Sequence, residues 1–169
     1  MAIDMKEDQT MQALAKAGKY LTFALGHEEY GLEILQVREI ICLMEITAVP
    51  DVPGYVKGVI NLRGKIIPVI DLRLKFGMPK IDYTAETCII ILSVSNTLMG
   101  IVVDRVCEVL DIAQENIEPP PTFGSKLNAS SMIGMGKVGD KVKILLNIEK
   151  VLTVDVGLAD AVLAEKAAA

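Results

Sequence analysis

The feature that most limits the folds open to this chain is that its second half restates its first. With an offset of 69, Leu21 falls on Ile90, Phe23 on Leu92, Leu25 on Val94 and Tyr30 on Met99. Leu32 meets Ile101, Ile34 meets Val103, Val37 meets Val106, and Gly31 meets Gly100. After seven extra residues in a Pro-rich stretch the offset becomes 76, and Gly58 falls on Gly134, Ile70 on Leu146 and Leu72 on Ile148. Apolar faces, glycines, turns and the order of elements align together, which a chance match of a few apolar positions does not produce. Each unit reads as about five short alternating strands. A flat sheet of that size leaves exposed edges, and closing it removes them. The expected architecture is mostly β: two five-stranded barrels packed together, with apolar parts of their outward faces supplying a third core.

The stretch Gly58–Leu72 is the centre of the first unit. Two β-branched runs flank a short Arg63-Gly64 break, the signature of a hairpin. Alternation assigns Ile60, Leu62, Ile66, Pro68, Ile70 and Leu72 to a core face. It assigns Val59, Asn61, Arg63, Lys65, Ile67, Val69 and Asp71 to an outward face that mixes apolar and charged groups, as a partner surface does. The same outward face of the second unit carries Met135, Lys137, Gly139, Lys141, Lys143 and Leu145. Arg63 corresponds to Gly139 there. A guanidinium at a tight turn suits bidentate contact with a carboxylate.

In chain order, residues 1–17 are polar and weakly periodic, and a mobile segment is expected there. The first lobe is expected over 18–80, the second over 81–152, and a helical tail over 153–169. Residues 33–43 are ambiguous between helix and strand. Gly26-His27-Glu28-Glu29 reads as a solvated turn, and Leu72–Phe76 as one helical turn.

The 169 residues are 51% apolar, enough for a core, and carry a net charge of −5 with no basic run. Nucleic acid is therefore an unsuitable partner. No apolar stretch reaches the roughly 20 residues of a membrane span and no signal peptide is visible, so a cytoplasmic protein is expected. Cys42, Cys88 and Cys107 lack metal-ligand spacing and read as small buried hydrophobes. One histidine, His27, cannot supply a zinc site or a triad, and no phosphate-binding glycine loop is present. Neither metal nor cofactor is expected. Strong packing signals with almost no catalytic inventory point to a binding module. An enzyme using Asp71, Asp104 or His27 is the alternative from another class.

The run Gly58-Val59-Ile60-Asn61-Leu62-Arg63-Gly64, followed by Ile67-Pro68-Val69-Ile70-Asp71-Leu72, resembles CheW, the bacterial chemotaxis coupling family. The resemblance extends from about Lys19 to Leu152. It includes Tyr-Gly-Leu-x-Ile at Tyr30–Ile34, Val-Arg-Glu-Ile at Val37–Ile40 and Gly-Ile-Val-Val-Asp-x-Val at Gly100–Val106. It implies SH3-like barrels, no enzymatic activity, and a scaffold joining the cytoplasmic tips of methyl-accepting chemoreceptors to the histidine kinase CheA. The family's receptor-facing positions fall on Val37, Glu39, Lys57, Gly58, Arg63, Val109 and Gly134. Its kinase contacts fall loosely around Ile91, Val102 and Leu145. The same fold serves as the regulatory domain of CheA and occurs in CheV, so a free-standing regulatory domain for another kinase is the second reading.

Overall fold

The structure, a computed structural model, describes residues 18–119 and 131–157. The expected N-terminal segment, most of the Pro-rich loop and the Ala-rich end lie outside the described residues. The strands in the first half are β1 (Gly18–Leu25), β2 (Glu28–Glu33), β3 (Val37–Cys42), β4 (Val56–Leu62) and β5 (Lys65–Asp71). Those in the second are β6 (Cys88–Val94), β7 (Thr97–Val103), β8 (Arg105–Ile112), β9 (Ile117–Glu118), β10 (Met132–Val138) and β11 (Lys141–Leu146). Single-turn helices α1 (Leu72–Lys75) and α2 (Ile148–Val151) follow β5 and β11. The ambiguous stretch resolves into a 3-10 turn, Ile34–Gln36, and then β3. The repeat reaches into the helix caps. Asp71 accepts from the Leu74 amide and Asn147, 76 residues on, accepts from the Lys150 amide.

Two sheets form, in the orders β3-β6-β7-β5-β4 and β8-β1-β2-β11-β10-β9. Each draws on both halves of the chain. The first hairpin of each repeat has changed places with its twin: β6 and β7 complete the sheet of β3, β4 and β5, while β1 and β2 complete that of β8, β10 and β11. The halves 18–80 and 81–152 are thus repeats in sequence and not separate sheets in space. Both hairpins carry the same strand pattern, so pattern alone leaves their exchange open. The joins are equivalent: β5 runs parallel to β7 through Val69↔Gly100, and β11 parallel to β2 through Leu145↔Gly31.

Each sheet is closed by the continuation of its own edge strand. Beyond β3, Thr47 exchanges two backbone hydrogen bonds with Val59 of β4, at 2.8 and 2.9 Å. Beyond β8, the short β9 pairs with β10 through Glu118↔Met135. Glycines stand at both crossings. A Cβ on Gly58, at φ +139°, would lie 1.9 Å from the Thr47 carbonyl oxygen, and one on Gly134 would lie 2.5 Å from that of Glu118. Side chains there would push the closing segment off.

The largest core lies between the sheets. It gathers Leu21, Phe23, Leu25, Tyr30 and Leu32 from one and Ile90, Leu92, Val94, Met99 and Ile101 from the other, with Ile70, Leu72, Leu146 and Ile148. These are the residues that the repeat aligns, so the expected third core is the principal one. The first barrel encloses Ile60, Ile67, Val69, Ile89, Ile91 and Val102; the second encloses Tyr20, Ile112 and Leu145.

This corrects the face assignments. Across the hairpin, Ile60 pairs with Ile67 and Asn61 with Ile66. Directly opposed residues share a face, and a two-residue turn reverses the odd-even count. Ile67 and Val69 therefore share the core of Ile60 inside the barrel, while Ile66 is exposed; Val59, opposite Pro68 on the other face, is also buried. Asp71 is buried as well. In the second hairpin the same reversal buries Lys143 and Leu145. The cysteines also differ from expectation: Cys42 is exposed, and Cys88 and Cys107 are half-buried.

Candidate functional site

The mouth of the first barrel is built on the β4–β5 turn. Arg63 (φ 51°) and Gly64 (φ 86°) both occupy left-handed backbone, the conformation of a two-residue turn that follows strand twist. The Asn61 side chain accepts from the Gly64 amide at 2.9 Å and fixes the turn. Arg63 projects from this tip and meets Glu39 of β3. Its Nη1 donates to Glu39 Oε1 at 3.0 Å and its Nη2 to Oε2, a bidentate pair. Hydrogen bonds from Arg63 hold the Glu39 carboxyl below the usual carboxylate range.

Glu39 is positioned by a bulge. Between β3 and β6 the register slips between Val37 and Glu39, and the same slip recurs between β1 and β8 beside Glu108, the counterpart of Glu39. Strands β3 and β4 are the opposite edges of their sheet. The Glu39–Arg63 pair therefore bridges the two edges, and the Thr47–Val59 bridge joins them again farther along β4. The pair is open to solvent, with the Arg63 side chain 69% exposed, so a partner can reach it. Exposed Lys65 and Ile66 and half-buried Leu62 surround the tip. The second barrel has Gly139 at this position and no equivalent guanidinium.

The other expected receptor-facing residues do not all gather here. Val37 turns toward the core between the sheets. Lys57 lies at the far end of β4, about 20 Å from Arg63 at ordinary strand rise; its Nζ sits 5.8 Å over the Tyr83 ring. Gly58 and Gly134 are buried beneath the closing segments, so their visible role is closure. Val109 is 51% exposed on β8, in the other sheet. Ile91, Val102 and Leu145 are interior, which corrects their expected part as surface contacts for a kinase.

The candidates for catalysis have structural partners. Asp71 caps α1 and accepts from the Tyr83 hydroxyl at 2.9 Å. Burial, then the hydrogen bond to Asp71, pushes the Tyr83 phenol well above its usual range. Asp104 accepts from Arg73 Nε at 2.9 Å and from the Gly26 amide at 2.7 Å, which ties the β1–β2 turn to α1. His27 lies exposed in that turn. Among the described residues no group of three or more His, Cys, Asp or Glu could hold a metal ion, and no helix is long and apolar enough to cross a membrane.

Sequence reasoning missed two partly buried charge clusters. Lys143 donates to Glu29 at 2.6 Å inside the second barrel, and Glu29 lies within β2 rather than in a solvated turn. Asp155, from the helical residues 153–157, accepts from the Tyr55 hydroxyl at 2.7 Å and meets Lys75 Nζ at 2.6 Å. Burial and that hydrogen bond push the Tyr55 phenol up to about 12. Alternation puts Lys143 on the outward face, and only the reversed register brings it inside. Nothing in the local pattern marked Asp155.

Comparisons with known proteins agree on one family. The sequence model described as "CheW-like domain" matches residues 19–156. A chemotaxis protein CheW of Klebsiella aerogenes is 42% identical over 135 residues, covering 80% of this chain and 81% of the relative. A chemotaxis protein CheW of Helicobacter pylori is 36% identical over 137 residues, covering 81% and 82%. The crystal structure of the scaffolding protein TtCheW from Thermoanaerobacter tengcongensis superposes with a TM-score of 0.75 at 38% identity, covering 80% of this chain and 92% of that one.

Proposed function

The chain belongs to the family of CheW-like domains, and on that premise we propose that it is a non-enzymatic scaffold of bacterial chemotaxis. It couples methyl-accepting chemoreceptors to the histidine kinase CheA at the cytoplasmic face of receptor arrays. Family membership over most of the chain carries this reading. The site chemistry supports it, because the side chains of Asp71 and Asp104 are engaged in holding the fold.

The receptor surface is the mouth of the first barrel. Arg63 and Glu39 offer paired charges beside Leu62 and Ile66, a mixture that suits an amphipathic helix from the receptor tip. Val37, Lys57 and Val109 lie apart from this mouth and would be receptor contacts outside it. Gly58 lets the closing segment of the first barrel seat, and Gly134 does the same in the second. The kinase surface lies on the second barrel, where Val142 of β11 is 49% exposed.

Sedimentation of receptor-bearing membranes tests the coupling. CheA pellets with the membranes only when this chain is added, and the chain pellets with it. If CheA pelleting is unaffected by the chain, or if the chain captures a different kinase without receptor, coupling is the wrong function.

A further inference from the structure

Cys42 and Cys88 are far apart in sequence, yet β3 and β6 place them directly opposite one another as the last register pair of their ladder. Opposed residues on antiparallel strands have Cα atoms about 4.5–5.5 Å apart, inside the roughly 4.4–6.8 Å span that a disulfide requires. Their side chains leave the sheet on the same face, continuing the row of Ile40 and Ile90. Both thiols are free; Cys42 is exposed and Cys88 half-buried. The Cys88 thiol donates to the Glu86 carbonyl at 3.2 Å. Burial pushes this thiol up, and the neighbouring Cys42 adds to the shift. β3 is an edge strand, so a bond here would tie that edge to its neighbour within the sheet.

We propose that Cys42 and Cys88 form a reversible cross-strand disulfide when the protein meets a peroxide. The exposed Cys42 thiolate attacks one oxygen of hydrogen peroxide, the O–O bond breaks, and hydroxide leaves to be protonated to water. The product is the Cys42 sulfenic acid. The Cys88 sulfur then attacks Cys42 Sγ, the S–O bond breaks, and hydroxide leaves with the Cys88 proton as a second water. Two thiols are oxidised by two electrons, and one peroxide is reduced to two waters. Cys42 is exposed, so cellular dithiols can reach the bond and return it to thiols by exchange. Oxidised protein carries β3, and Glu39 with it, covalently fixed to β6.

Thiol titration and non-reducing peptide mapping of the full chain after dilute hydrogen peroxide test this. Two of the three thiols disappear, a peptide linking Cys42 to Cys88 forms within one chain, and Cys107 stays titratable. Dithiothreitol restores all three. Cys42→Ser and Cys88→Ser, each at the end of its strand, abolish the linked peptide. The proposal fails if all three thiols survive a dose that oxidises an exposed model thiol. It also fails if Cys42 proceeds to sulfinic acid with Cys88 intact, or if the linkage joins two chains.

Discussion

The second barrel carries inside it an ion pair where the first carries hydrocarbon, and exchanging one for the other tests the equivalence of the two units. Lys143 and Glu29 meet at 2.6 Å with side chains only 6% and 16% exposed. They are register partners in the parallel join of β11 to β2. The repeat assigns Ile67 and Leu98 to the same places in the first barrel (143 − 76 = 67; 29 + 69 = 98), where Ile67 is buried and Leu98 packs against it. Lys143→Ile leaves the Glu29 carboxylate without its partner, and Glu29→Leu strands the ammonium. Breaking such a pair costs about 3 kcal/mol, a large share of the ~5–15 kcal/mol that holds a domain together. The double variant rewrites the second barrel after the first. Well-packed apolar replacements of buried pairs are neutral or stabilising by ~1–4 kcal/mol, so the double variant should match or exceed the parent. Urea unfolding of the parent, both singles and the double closes the cycle. A double variant that loses about the sum of the two singles, ~6 kcal/mol, would refute the equivalence.

The closing glycines make a graded pair. Gly58→Ala combines a strained backbone, about 1–3 kcal/mol, with displacement of the two Thr47–Val59 hydrogen bonds, about 1 kcal/mol each. It should cost about 4 kcal/mol in chemical unfolding, and Gly134→Ala, with no positive φ to strain, distinctly less; equal losses would contradict the closure account. Glu33 has its carboxyl pushed up by burial and then by the nearby Glu149. A raised folded value gives stability that is present below the unfolded carboxylate range and lost as pH rises through the folded value. Glu33→Gln should therefore raise the melting temperature at pH 7 and lose that advantage as the pH falls through the carboxylate range. A gain that persists in acid would assign the effect to something other than charge.

Much of this architecture was legible in the sequence because the repeat fixes which residues must be equivalent. Leu21 with Ile90, Phe23 with Leu92 and Leu72 with Ile148 were aligned as strings, and they meet in one core. The Arg63-Gly64 turn was legible because two β-branched runs flank a short break that ends in glycine. The odd-even assignment failed at Ile67 and Val69 because a two-residue turn reverses the parity between its strands. The exchange of hairpins was not legible, since both copies offer the same edge. At the candidate site, Arg63 and its type of partner followed from the chemistry of a guanidinium at a turn. That the partner is Glu39 depends on barrel closure, which brings together edges 24 residues apart.

The charge at the barrel mouth offers the most direct test that this surface receives the receptor. The measurement is the affinity of a receptor cytoplasmic fragment for the parent, for Arg63→Glu, and for Arg63→Glu combined with Glu39→Arg. Losing a charge pair across an interface costs about 2–5 kcal/mol, so the single variant should bind at least about tenfold more weakly while melting near the parent temperature. The reversed pair should re-form between β3 and the turn, yet still bind weakly, because the positive charge now sits on the wrong strand. Parent-like affinity in the single variant, or full recovery in the reversed pair, would mean that Arg63 serves only its own barrel.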